Sequence, residues 1–100
     1  MQPEVIAERR KRKNPRSRTD IAIEILRLIR KKGEKRTKIS NKTEINYILA
    51  TELTNCMENK MKWIKRDKDG IYTITTEGEK YLGYVDALLN LGRKAEVVIE

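Results

Sequence analysis

With 100 residues, 38% of them hydrophobic and no Phe, the chain has material for one small domain with a thin, mainly aliphatic core, which excludes a multidomain enzyme. There is no His, so imidazole bases, proton relays and His-ligated metals are excluded, and a single cysteine, Cys56, excludes an internal disulfide and a structural zinc cluster. Twenty-three Lys and Arg against fifteen Asp and Glu leave a net charge of +8, which favours a polyanionic partner, nucleic acid ahead of an acidic membrane.

The apolar stretches are far shorter than the roughly 20 residues that span a bilayer, and the N-terminus has no apolar run of signal-peptide length. The expectation is a soluble, cytoplasmic protein with no membrane association, no cofactor and no small-molecule substrate. No pair of carboxylates is arranged for acid–base or two-metal chemistry, so no enzymatic activity is expected.

The charge is unevenly placed. Residues 1–18 hold Arg9, Arg10, Lys11, Arg12, Lys13, Arg16 and Arg18 against Glu4 and Glu8, so +5 of the +8 falls there. A segment with many bases and no hydrophobic periodicity cannot offset its ordering entropy, which predicts a flexible basic arm over residues 1–17 and a domain beginning near Ser17.

From Thr19, Ile21, Ile25, Leu28 and Ile29 recur on one stripe beside Ala22 and Leu26, predicting a helix to about Lys32 that Gly33 closes in a left-handed conformation. Glu34 to Arg36 read as a connector. Thr37 is the expected cap of a short helix anchored by Ile39, followed by the polar turn Ser40–Thr43. Asn46 caps the next helix, with Ile45 placed to staple Ala50, and the helix runs to about Lys60. Its core stripe is Leu49, Leu53, Cys56 and Met57, and Tyr47, Ala50, Thr51, Thr54 and Asn55 fall largely on other faces. That outer face is short, polar and almost uncharged, a composition suited to base edges.

Trp63–Arg66 and Ile71–Thr75 are β-rich runs around Asp67-Lys68-Asp69-Gly70, which predicts a hairpin with Gly at a positive φ. The Asp67–Gly70 segment lacks the preceding acid and closing Glu of a calcium loop. Thr75 or Thr76 caps a last helix, Thr76 in a capping box with Glu79, ending at Gly92, with residues 93–100 as a tail. Gly83 inside this helix costs about 1 kcal/mol relative to Ala and suggests a close approach of two backbones.

The reading is an α+β, mostly α fold: three helices, a β-hairpin wing and a C-terminal helix. Arg18-Thr19-Asp20-Ile21-Ala22, Thr37-Lys38-Ile39, Ile45-Asn46-Tyr47 and above all Gly70-Ile71-Tyr72-Thr73-Ile74-Thr75-Thr76-Glu77-Gly78 carry a resemblance to the small archaeal winged helix-turn-helix proteins, which are DNA-binding proteins or transcriptional regulators. The resemblance covers about residues 17–92. The domain is read as residues 18–92 with 76–92 as its last helix; the basic arm and the Val97-Val98-Ile99 tail are not part of the family pattern, and the last helix is shorter than in members that dimerise through a long coiled coil.

Such a domain lays its third helix in a major groove about 12 Å wide and follows the backbone with its wing. Thr43, Asn46, Tyr47, Ala50, Thr51 and Thr54 are then the expected groove face. Lys35, Arg36, Lys38 and Lys42 flank the second helix as phosphate contacts, and Lys65, Arg66 and Lys68 charge the wing. Arg9, Arg10, Lys11, Arg12, Lys13, Arg16 and Arg18 would follow the backbone or enter a narrow A·T-rich minor groove. The first turns of the third helix hold no Arg or Lys for bidentate guanine contacts, so base specificity is expected to be modest.

Tyr81, Leu82, Val85, Leu88 and Leu89, widened by Tyr84 and Leu91, make an apolar stripe broader than one small domain needs, and the expected outlet is a homodimer reading a roughly palindromic site. The expected function is double-stranded DNA binding, tolerant to moderately specific, in transcriptional regulation or nucleoid association. The alternatives are a winged-helix protein-interaction module with a basic tail and an RNA-binding protein. One Gln, no His and abundant Lys, Glu and Ile fit a thermophile.

Overall fold

In a computed structural model, residues 16–99 are described for the backbone and 16–91 for the side chains. The elements are α1 (Arg18–Lys31), β1 (Glu34–Lys35), α2 (Arg36–Thr43), α3 (Tyr47–Asn59), β2 (Ile64–Arg66), β3 (Ile71–Ile74) and α4 (Thr76–Ile99).

Helix α1 starts where its capping chemistry is complete: the Ser17 hydroxyl accepts from the Asp20 N–H at 3.0 Å, and the Asp20 carboxylate accepts from the Ser17 N–H at 3.1 Å. Its expected stripe is the core face, with Ile21, Ala22, Ile25, Leu26 and Ile29 buried. The helix stops at a Lys32 cap with extended backbone. Gly33 does not adopt the expected left-handed conformation. It is required for space: a Cβ there would lie 2.8 Å from Ile71 Cγ2 and 3.1 Å from the Tyr72 carbonyl oxygen.

That close approach exists because residues 34–35 are a strand and not a connector. Glu34 pairs with Tyr72 and Lys35 with Ile71, while β2 pairs the other edge of β3 from Ile64↔Ile74 to Arg66↔Tyr72, giving the antiparallel order β1-β3-β2. The expected hairpin is present. The Asp67 carboxylate accepts from the N–H groups of Asp69 (2.8 Å) and Ile71 (3.0 Å), and Gly70 has φ +83°.

Thr37 is not the cap of α2, which begins after Lys35 with no side-chain cap. The α2–α3 turn instead depends on Glu44 in the left-handed region (φ 57°), on the Ile45 N–H donating to the Ser40 carbonyl, and on the Ser40 hydroxyl donating to the Ile45 carbonyl at 2.6 Å. Asn46 caps α3 as expected, its Oδ1 accepting from the Leu49 N–H at 2.7 Å.

The core lies between α1, α2, α3 and the inner face of the sheet, with Ile39, Leu53, Met57, Ile64, Tyr72 and Leu82 inside it. Trp63 packs against it and stacks on Tyr81, ring centroids 4.0 Å apart. Thr75, not Thr76, caps α4: its hydroxyl accepts from the Gly78 N–H at 3.2 Å and donates to the Lys62 carbonyl at 2.6 Å. Gly78 packs directly beneath Trp63, leaving no room for a Cβ. The backbone of α4 continues to Ile99, past the expected end at Gly92, so residues 93–99 extend the helix and are not a separate tail. The arm residues Arg9 to Lys13 lie outside the described residues.

Candidate nucleic-acid interface

Helix α3 carries Glu52 and Glu58 and no base, and its buried side is Ala50, Leu53, Thr54 and Met57. At about 100° per residue the direction opposite that side is occupied by Ile48, Glu52, Asn55 and Asn59, with Thr51 and Tyr47 on one flank. Ile48 is 73% exposed and Tyr47 half exposed, and the open face is therefore Tyr47, Ile48, Thr51, Glu52 and Asn55.

Three expected groove residues are not on that face. Ala50 and Thr54 are completely buried, and Thr43 is buried with its hydroxyl donating to the Ile39 carbonyl at 2.7 Å. The Thr54 hydroxyl likewise turns back to the Ala50 carbonyl at 2.8 Å. In both threonines the hydroxyl satisfies itself on the preceding turn, which lets a polar residue sit on the core side of a helix. Thr51, whose hydroxyl donates to the Tyr47 carbonyl at 2.9 Å, remains accessible, as do Asn46 and Tyr47.

The basic residues divide into committed and uncommitted. Arg16 donates to Glu24 at 2.7 Å and to the carbonyls of Thr43 (2.8 Å) and Glu44 (3.3 Å), a cation on the negative end of α2. Arg18 pairs with Glu52 at 2.9 Å, and Lys42 pairs with Glu34 at 2.9 Å. Glu34 is buried, and the Lys42 ammonium bonded to it, with Lys32 and Lys38 nearby, holds its carboxyl below the usual carboxylate range against the opposing effect of burial.

Arg36 is the most engaged. Its Nε donates to Thr54 Oγ1 at 3.0 Å, and its Nη2 donates to Asn55 Oδ1 at 3.0 Å and to the Tyr72 hydroxyl at 2.6 Å. It joins the start of α2, the middle of α3 and the central strand. Arg66 approaches the Tyr72 ring at 5.6 Å, as Arg36 also does. Lys35, Lys38, Lys65 and Lys68 are exposed and make no ion pair among the described residues.

Of the expected apolar stripe on α4, Leu82 is fully buried in the domain's own core and is not open to a second chain, and Tyr81 is partly buried against Trp63. Val85 is half-buried, and Tyr84, Leu88, Leu89 and Leu91 are between 50% and 68% exposed. A Cβ at Gly83 would meet no atom within 4 Å among the described residues outside its own helix turn, so no other described segment packs closely there. Cys56, expected in the core, is exposed beside an open apolar hollow lined by Leu53, Met57, Met61, Trp63 and Tyr81.

Sequence reasoning missed Ile48 and left Asn55 among the polar positions without a role. A helical wheel centred on Leu53 and Met57 would have found both. It also missed the engagement of Arg36, for which sequence offers no signal.

A helix, a tight turn, a helix with an open outer face and a hairpin between that helix and the last one is the arrangement the sequence resemblance implies, and residues 15–92 match the family model for the winged helix-turn-helix. The chain belongs to the winged helix-turn-helix family. In this winged helix-turn-helix domain α3 stands where a recognition helix stands and β2–β3 form the wing, and membership points to DNA binding or regulation. No curated protein matches the sequence. Among the described residues no helix is long and apolar enough to cross a membrane.

Proposed function

We propose that the protein binds double-stranded DNA as a homodimer, without enzymatic activity, and acts in transcriptional regulation or chromosome association. The observation that carries the reading is the open face of α3: Tyr47, Thr51 and Asn55 are uncharged and accessible, and Lys35, Lys38, Lys65 and Lys68 are exposed and make no ion pair among the described residues. The lysines neutralise phosphates while the polar helix faces base edges. Arg16, Arg18, Arg36 and Lys42 have structural partners and contribute mainly to positioning.

The dimer reading is supported by α4. Tyr84, Leu88 and Leu91 follow a four-then-three spacing on the side away from Leu82, and the same spacing in sequence falls on Ala95 and Val98 within the helix. A twofold pair of such chains would offer two α3 helices to half-sites about one helical turn apart.

Fluorescence anisotropy of the whole chain on duplex DNA across a salt series tests the reading. Counterion release gives a log–log slope of about −0.9 per neutralised phosphate. A steep slope supports duplex binding. A flat slope with no measurable affinity at low salt contradicts it and favours the protein-interaction module, and tighter binding to structured RNA than to duplex DNA favours the RNA reading.

A further inference from the structure

We infer that Asn55 reads a base edge as a hydrogen-bond donor only, with guanine as the favoured base, because Arg36 holds its amide oxygen toward the protein; the inference rests on the duplex-DNA reading above. A guanidinium has five donors and no acceptor, so the amide atom 3.0 Å from Arg36 Nη2 must be the oxygen. The orientation of an exposed Asn side chain is ordinarily free to reverse. Here it is set by a charge-assisted bond from a side chain that is itself anchored on Thr54 and Tyr72.

Asn55 is exposed and lies near the middle of the open face, opposite Leu53 and Met57. With Oδ1 turned inward, the group left for a partner is the Nδ2 amino group with its two N–H donors. An Asn that reads adenine bidentately uses both atoms, accepting from N6–H and donating to N7, and this Asn has given up the acceptor. Guanine offers two adjacent major-groove acceptors, N7 and O6, thymine and adenine offer one each, and cytosine offers only a donor. Asn55 is therefore a specificity-determining residue, and Arg36 is a positioning residue acting through it. The same guanidinium bonds the Tyr72 hydroxyl of β3, a strand of the wing, so the reading helix and the wing are held to one anchor.

The test is selection of duplexes from a randomised pool by the full chain, followed by anisotropy on duplexes carrying each base pair at the enriched position. The wild-type chain is expected to favour guanine over cytosine there by roughly tenfold. N55A removes that preference and leaves the salt slope unchanged. N55D, which keeps an oxygen toward Arg36 but presents a second oxygen outward, shifts the preference toward cytosine, whose N4 amino group is a donor. R36K, which retains the charge but not the fork, frees the amide to turn and admits adenine. A purely structural role for either residue would alter melting or overall affinity without changing the selected base. The inference is overturned if N55A retains the wild-type base preference while binding remains salt-sensitive. If the whole chain shows no salt-sensitive duplex binding at all, the duplex-DNA reading falls and this inference falls with it.

Discussion

Helices α3 and α4 each give one side to the core and turn the other outward, and the outward sides differ in chemistry, mixed on α3 and leucine-rich on α4. On α3 the open residues include Tyr47, Ile48, Glu52 and Asn55, with Thr51 partly open; on α4 the open hydrophobic residues are Tyr84, Leu88, Leu89 and Leu91. A face that mixes the Asn55 amide and the Thr51 and Tyr47 hydroxyls with Ile48 suits a partner that offers both polar and apolar edges. A face of leucines in a four-then-three spacing suits another apolar helix. The contrast teaches that one small domain can divide two kinds of recognition between two helices. It also separates bases by role: those near α1 and α2 largely hold the fold, and those on the wing largely face solvent.

The comparison breaks most visibly on α4. Replacing Leu88 and Leu91 with Glu is expected to convert a dimer to a monomer in sedimentation equilibrium, since leaving four Leu side chains out of a dimer forfeits roughly 6 kcal/mol or more. Melting of the domain itself should change little. R36M is next: it withdraws a charged donor from Thr54, Asn55 and Tyr72 and should lower stability in urea by about 2–3 kcal/mol, with sedimentation unchanged.

On α3, I48E adds a negative charge at the centre of the proposed groove face. It should weaken duplex binding by about tenfold or more in anisotropy while leaving both melting and assembly as they were. K65A/K68A sharpens the distinction between committed and uncommitted bases: stability should stay within about 0.5 kcal/mol, and the salt slope should shrink by about 1.8.

The smallest effect concerns Glu34. Its carboxyl titrates below the ordinary range in the fold because Lys42 bonds the ionised form, so it stabilises the fold above its unfolded-state value and loses that contribution as pH falls through the folded one. Acid unfolding followed by circular dichroism should therefore show a flatter acid limb for E34Q than for the wild-type chain.

Much of the fold was legible because it rests on local rules. The 3.6-residue stripe of α1, the Asn46 cap and the Asp67–Gly70 turn all follow from short-range chemistry. What failed depends on contacts distant in sequence. Strand β1 is two residues long and exists only because β3 offers it an edge, and Gly33 is required by that pairing, not by a helix end. Thr43, Ala50 and Thr54 looked like a polar face because residue type was read ahead of angular position; their hydroxyls bond the preceding turn, and Ala50 is small enough for the core. Arg36 read as one more surface base, and nothing in the sequence announces that Thr54, Asn55 and Tyr72 converge on it.

The central claim is that the folded domain, and not the basic arm, reads DNA. The most direct measurement compares duplex affinity across a salt series for the whole chain and for a chain lacking residues 1–15. If the domain is the reader, the shortened chain still binds duplex DNA and only the magnitude of its salt slope falls, in proportion to the arm's lost phosphate contacts. Loss of all duplex binding on removing residues 1–15, with the domain still folded, would contradict the account and leave α3 without a role in DNA recognition.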